Sequence, residues 1–114
     1  MLPALLEQHH QGLFSLEKIV EKTAHNPAKL FHVVDRGFIR EGYFADLVVV
    51  DLDAQTVVTP EQVLYRCGWS PFEGQTFRGA VDMTVLNGAV VYRDGEVRGE
   101  PQGRELQFTA GTRN

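Results

Sequence analysis

Apolar residues recur at helical spacing through the first third of the chain and at strand spacing through most of the remainder. Leu2, Leu5 and Leu6 share one helical face, and Gly12, after the polar run at 7–11, predicts a stop. Leu16, Ile19, Val20 and Thr23 form a second stripe, with Ser15 placed as N-cap and Glu17 suited to the positive end of the helix dipole. Pro27 disfavours helical geometry at Asn26, so this helix is expected to end near His25. Asn26 and Pro27 then read as the cap and first position of a separate short helix over 27–32, leaving at an angle.

From Gly37 the pattern becomes that of strands and turns. Positions 45–52 (ADLVVVDL) are apolar almost throughout, which predicts a strand covered on both faces. Asp53 and Ala54 predict a turn, followed by a second short strand over 55–59. Thr59-Pro60-Glu61-Gln62 fits a capping box and predicts a helix through Tyr65. Ser70-Pro71-Phe72-Glu73-Gly74 fits another, with Gly74 ending a single turn in a left-handed conformation. Positions 77–86 alternate as a strand that carries Val81, Met83 and Val85 on one face. Asn87-Gly88 predicts a tight hairpin into a partner strand over 89–93, and Asp94-Gly95 a second hairpin into 96–98. The tail from Pro101 is polar, anchored only by Leu106 and Phe108. The predicted class is α+β: N-terminal helices over 1–34, then a small β-rich unit with its tail over 35–114. These strands make one small sheet at most, and the apolar strand at 45–52 lacks a partner in the pattern.

Composition narrows the function. A chain of 114 residues, 43% hydrophobic and 23% charged, can build one ordinary globular core. Its net charge is −4 and its basic residues are scattered, so no nucleic-acid partner is expected. No segment has the length and apolarity of a membrane span, and the N-terminus lacks the pattern of a signal peptide. The single cysteine, Cys67, excludes an internal disulfide and suits a cytoplasmic protein.

Candidate chemistry is sparse. His9 and His10 are helix neighbours whose side chains diverge, and Pro27 separates His25 from His32, so the four histidines show no metal-ligand spacing. Cys67 has no activating base at a telling distance and is expected to be buried and inert. Asp46, Asp51 and Asp53 flank a strand, while Glu41 and Glu73 lack a second carboxylate for acid–base work. The expected catalytic, cofactor-binding and metal-binding residues within this chain are therefore none.

Several stretches, taken in order, resemble the C-terminal end of the amidohydrolase superfamily. Thr23-Ala24-His25-Asn26-Pro27-Ala28 is similar to its helix ending in Asn-Pro-Ala. The stretch at 37–49 (GFIREGYFADLVV) is similar to its Gly-x-Ile-x-x-Gly-x-x-Ala-Asp-Leu-Val signature. The segment at 66–74 (RCGWSPFEG), with Thr76-Phe77-Arg78-Gly79 and Thr84-Val85-Leu86-Asn87-Gly88, resembles the dihydroorotase branch.

That resemblance implies the last helices of a (β/α)8 barrel, followed by the C-terminal share of a flanking β-sandwich. It implies a whole enzyme that interconverts N-carbamoyl-L-aspartate and L-dihydroorotate in pyrimidine biosynthesis, using a binuclear zinc site. The family's ligand motifs lie upstream of the matched region, so none carries over to a position here and no zinc is expected on this chain. The implied partners are the rest of the barrel and the N-terminal sandwich strands. A homodimer and an aspartate transcarbamoylase partner are compatible with it. Allantoinase and dihydropyrimidinase types, and a non-catalytic scaffolding module, are the alternatives. Unpaired strand edges predict self-association of the isolated chain.

Overall fold

A computed structural model describes residues 1–110; the last four positions of the polar tail lie outside the described residues. Helix α1 spans Leu2–His10. It closes with Gly12 N–H on the His9 carbonyl and Leu13 N–H on that of Gln8, at 2.9 and 3.0 Å. Gly12, at φ 81°, supplies the left-handed residue that this double closure requires. Helix α2 (Leu16–Val20) starts where expected, with Ser15 Oγ accepting the Lys18 N–H at 3.1 Å.

The expected break at Pro27 does not occur. The helix continues through a wide π turn, Glu21–His25, into α3 (Asn26–Leu30). Asn26 N–H bonds back to the Glu21 carbonyl, five residues earlier, and Asn26 keeps helical angles. A proline ring inside a helix collides with the carbonyl four residues before it. The widened turn moves that carbonyl aside and so accommodates the proline. The helix then stops at Leu30, two residues short of the expected end, because His32 adopts φ 55° and closes the C-terminus in glycine's usual place.

Four antiparallel strands form one sheet in the order β1-β2-β3-β4: β1 Leu47–Val57, β2 Thr76–Leu86, β3 Ala89–Arg93 and β4 Glu96–Val97. The predicted turn at Asp53-Ala54 is instead a bulge within a single long strand. Asp51 pairs with Ala80 and Gln55 with Arg78, leaving Leu52, Asp53 and Ala54 opposite Gly79 alone. Asp51 Oδ1 accepts the N–H groups of Asp53 and Ala54 at 2.9 and 3.2 Å. The local turn chemistry is thus satisfied while the unbroken β2 keeps the two halves of β1 in line.

Residues Pro60–Gln62 form only a short 3-10 turn, and Thr59 makes no side-chain cap, so the helix expected through Tyr65 is absent. Ser70 Oγ accepts the Phe72 N–H at 3.2 Å, and Gly74 is left-handed at φ 82°, as its motif predicts. Both hairpin turns carry the expected positive φ values, at Asn87, Gly88, Asp94 and Gly95. The tail returns to the helices: Val34 N–H bonds the Gln107 carbonyl, and Thr109 N–H that of His32, at 2.9 and 3.0 Å.

Among the described residues the buried apolar side chains are Leu6, Ile19, Ala28 and Phe77, with Leu6 the most covered. Helix α1 lays Leu6 against Gly79 of β2, while α2 packs along α1. Strand β1 ends the sheet, and Leu47, Val48 and Val49 on it are exposed. Ile39, Leu30 and Phe31 are more exposed still.

Candidate functional site

Two long-range polar networks and one apolar cleft stand out. The first ties α1 to the sheet. Glu7 Oε1 accepts the backbone N–H and the Nε–H of Arg78, both at 3.1 Å, and Glu7 Oε2 accepts Arg78 Nη2 at 2.7 Å. The Arg78 guanidinium, then its backbone N–H, hold the Glu7 carboxyl down from 4.5 to about 2. A carboxyl lowered by folding stabilises the folded chain above its unfolded pKa, and that contribution is lost as pH falls from about 4.5 through about 2. Glu7→Gln should therefore lower the melting midpoint at pH 7 and flatten its decline below pH 4.5. Thermal melts of both chains across that range check this; parallel curves would count against it.

The second feature joins the loop before β1 to the first hairpin. Arg36 Nη1 donates to Asp46 Oδ2, and Arg36 Nη2 to Asn87 Oδ1 at 3.3 Å. Asn87 N–H reaches Asp46 Oδ1 at 2.8 Å, and Asn87 Nδ2 donates to the Gln102 carbonyl of the tail. Arg36 stacks on Phe44 at 4.1 Å, and its side chain is only 10% exposed. Asp46, singled out at the strand entrance, is thus a paired structural carboxylate. Its partners lie ten and forty-one residues away along the chain, beyond the reach of local pattern.

The third is an apolar cleft of about 480 Å³ between α2 and β1, with Ile19 and Val20 on one wall and Leu47 and Val48 on the other. With the exposed end of β1 it makes a surface suited to further polypeptide rather than to bond chemistry.

The remaining sequence candidates are dispersed. His9 Nδ1 and His10 Nε2 each contact a backbone carbonyl at 2.8 Å, of Phe14 and Leu52 respectively, so both nitrogens serve as donors. The His25 ring stacks on Phe38 at 4.3 Å, and His32 ends α3. No group of three His, Cys, Asp or Glu side chains able to hold a metal ion occurs among the described residues. Asp51 is engaged in its own bulge, whereas Glu41 and Glu73 are exposed. Cys67 is exposed, correcting the expectation of burial. It sits in an irregular loop, and its Sγ meets the Trp69 carbonyl at 3.6 Å. Trp69 beside it is 59% exposed.

Comparison with known proteins gives one consistent picture. Residues 9–92 match the model of the Amidohydrolase family. A dihydroorotase of Pyrococcus abyssi is 37% identical over 102 residues, which is 90% of this chain and 25% of that protein. An allantoinase of Desulfitobacterium hafniense is 37% identical over 103 residues, covering 90% of this chain and 23% of its own length. Among solved structures, an L-hydantoinase (dihydropyrimidinase) from Arthrobacter aurescens superposes with a TM-score of 0.79 at 39% identity. That superposition covers 87% of this chain and 22% of the hydantoinase. The chain therefore spans about a quarter of the length of the curated relatives it matches.

Proposed function

The chain belongs to the amidohydrolase family, and on that premise we propose that it is the C-terminal structural portion of an enzyme that hydrolyses cyclic amides. The observation carrying this reading is the match itself. Nine-tenths of the chain aligns with proteins about four times its length, and the described residues gather no metal-ligand cluster. The binuclear zinc implied by the family resemblance does not fit the donors present here, so no step of the reaction is assigned to this chain. Its residues act on the architecture: α1 to α3 would close one side of a barrel, and the sheet would supply sandwich strands. The apolar cleft and the β1 edge would be covered by the rest of the barrel and by N-terminal strands.

Within that class the substrate we favour is L-dihydroorotate, interconverted with N-carbamoyl-L-aspartate. The reason is the segment at 66–74, whose Trp-Ser-Pro-Phe-Glu-Gly sequence resembles the dihydroorotase form. A second reading, hydrolysis of allantoin or a dihydropyrimidine, is favoured by the equal identity to an allantoinase and by the likeness to a hydantoinase. Assaying the protein encoded by the full reading frame on dihydroorotate, dihydrouracil and allantoin side by side separates the two. A frame without an upstream barrel would favour instead a scaffolding module, with a second copy or a transcarbamoylase as partner.

The 114-residue chain by itself should neither turn over dihydroorotate nor retain stoichiometric zinc after dialysis. Turnover abolished by a chelator would overturn that expectation. With its uncovered apolar surface the isolated chain should also self-associate, and a monomer in sedimentation at high concentration would contradict this.

A further inference from the structure

A separate cleft, of about 450 Å³, opens between the end of α3 and the loop that follows it. Lys29, His32, Arg40, Tyr43 and Thr109 line it, together with one carboxylate, Asp35. Two of its cationic groups, Lys29 and Arg40, are ordered around a single ring. Phe38 stacks on His25 at 4.3 Å with the planes 8° apart, and the Arg40 guanidinium lies 4.1 Å from the Phe38 centroid. Two flat groups this close to one ring take its opposite faces, so Phe38 is held between them. Lys29 Nζ lies 5.7 Å from the same centroid. Arg40 Nη1 is further placed by a 3.4 Å contact with the Tyr43 hydroxyl.

Three permanent cations line the cleft, Lys29, Arg36 and Arg40, and two of them lack a counter-ion. The chain is acidic, with fifteen Asp and Glu against eleven Lys and Arg, yet neither Lys29 nor Arg40 enters an ion pair among the described residues. Arg36 is paired with Asp46, which lies outside the cleft lining, and Asp35 is the only carboxylate lining the cleft among the described residues. A guanidinium fixed on an aromatic face has already lost much of its rotamer freedom, so it can bind a ligand at less entropic cost than a free surface arginine. The hydroxyls of Tyr43 and Thr109 add donors to the same space.

We propose that this cleft binds a small oxyanion, a phosphate or carboxylate group, through Arg40 and Lys29 with Tyr43 and Thr109 beside them. The site adjoins the surface proposed to meet the rest of the barrel, sharing Lys29 of α3 and Phe38 with it, and its test reads ion binding rather than hydrolysis.

The test is titration of the ¹⁵N-labelled chain with inorganic phosphate and, separately, acetate, against sodium chloride at matched ionic strength and pH 7. Saturable shifts at Lys29, His32, Arg40 and Tyr43 are expected with phosphate and not with chloride. Equal binding of acetate assigns the site to carboxylate groups generally, and its absence assigns it to phosphate. Arg40→Gln should weaken binding about tenfold, the loss expected for one charge-assisted hydrogen bond. Asp35→Asn should tighten binding, because it removes the opposing charge; asparagine also tolerates the left-handed backbone there, at φ 55°. Shifts equal to those of chloride, or an affinity unmoved by both substitutions, would overturn the proposal.

Discussion

Replacing Gly37 by alanine is expected to destabilise the chain by about 3 kcal/mol, of which about 1 is left-handed backbone and the rest overpacking. Gly37 sits at φ 85°, and a β-carbon there would run into the Ala28 methyl and lie 2.9 Å from the Ala24 carbonyl oxygen. Neither neighbour can yield: Ala28 is a buried methyl with no rotamer to change, and Ala24 O is helix backbone. The loop must therefore lift off the π turn, carrying Phe38 away from His25. Gly42 is the internal control, since it has nearly the same φ, 84°, and open space around it. Gly42→Ala should lose only the backbone share. Urea unfolding of the two variants separates strain from collision, and equal midpoints would refute the packing argument.

Leu6→Ala is the second large effect, expected at about 2–5 kcal/mol from lost burial and the cavity left behind. Leu6 is 2% exposed, the most covered large side chain among the described residues, and joins α1 to β2. Its seat is made by Gly79, where an added β-carbon would lie 2.8 Å from Leu6 Cβ and 3.0 Å from Leu6 Cδ1. Gly79 is also at φ 118°, in the region that favours glycine. Gly79→Ala should thus separate α1 from the sheet by pushing, where Leu6→Ala weakens the contact by subtraction. The two cannot compensate, because an alanine in place of Leu6 keeps the β-carbon that a methyl in place of the Gly79 hydrogen would meet. At this chain length each kilocalorie shifts the melting midpoint by about 4–8 °C. A double variant more stable than Gly79→Ala alone would show that the collision is elsewhere.

Much of the fold was legible where short-range chemistry decides. Ser15 caps α2 because its hydroxyl lies within reach of the Lys18 N–H. Asn87-Gly88 and Asp94-Gly95 turn the chain because both residues of each pair tolerate positive φ. Gly12 and Gly74 stop their turns for the same reason. Local grammar failed where a neighbour in space outvoted it. Pro27 has the chemistry of a helix breaker, but a wide π turn accommodates it. Asp53-Ala54 reads as a turn, but β2 holds both sides of it in one strand. Cys67 has the usual burial tendency of a thiol, but the described residues provide nothing to cover it.

The order of the amino acids by itself determined the helix-then-sheet succession, the hairpins and the family resemblance, since these depend on backbone preferences and identities within a few residues. It also predicted the turn at 70–74, where Ser70 Oγ accepts the Phe72 N–H and Gly74 takes a positive φ. Only the tertiary structure decided which distant groups meet. Glu7 finds Arg78 across seventy-one positions, and Arg36 reaches Asn87 across fifty-one. Phe38 gathers His25, Lys29 and Arg40 around one ring for the same reason. Such encounters depend on how α1 and the tail are laid across the sheet, and no spacing along the chain records that placement.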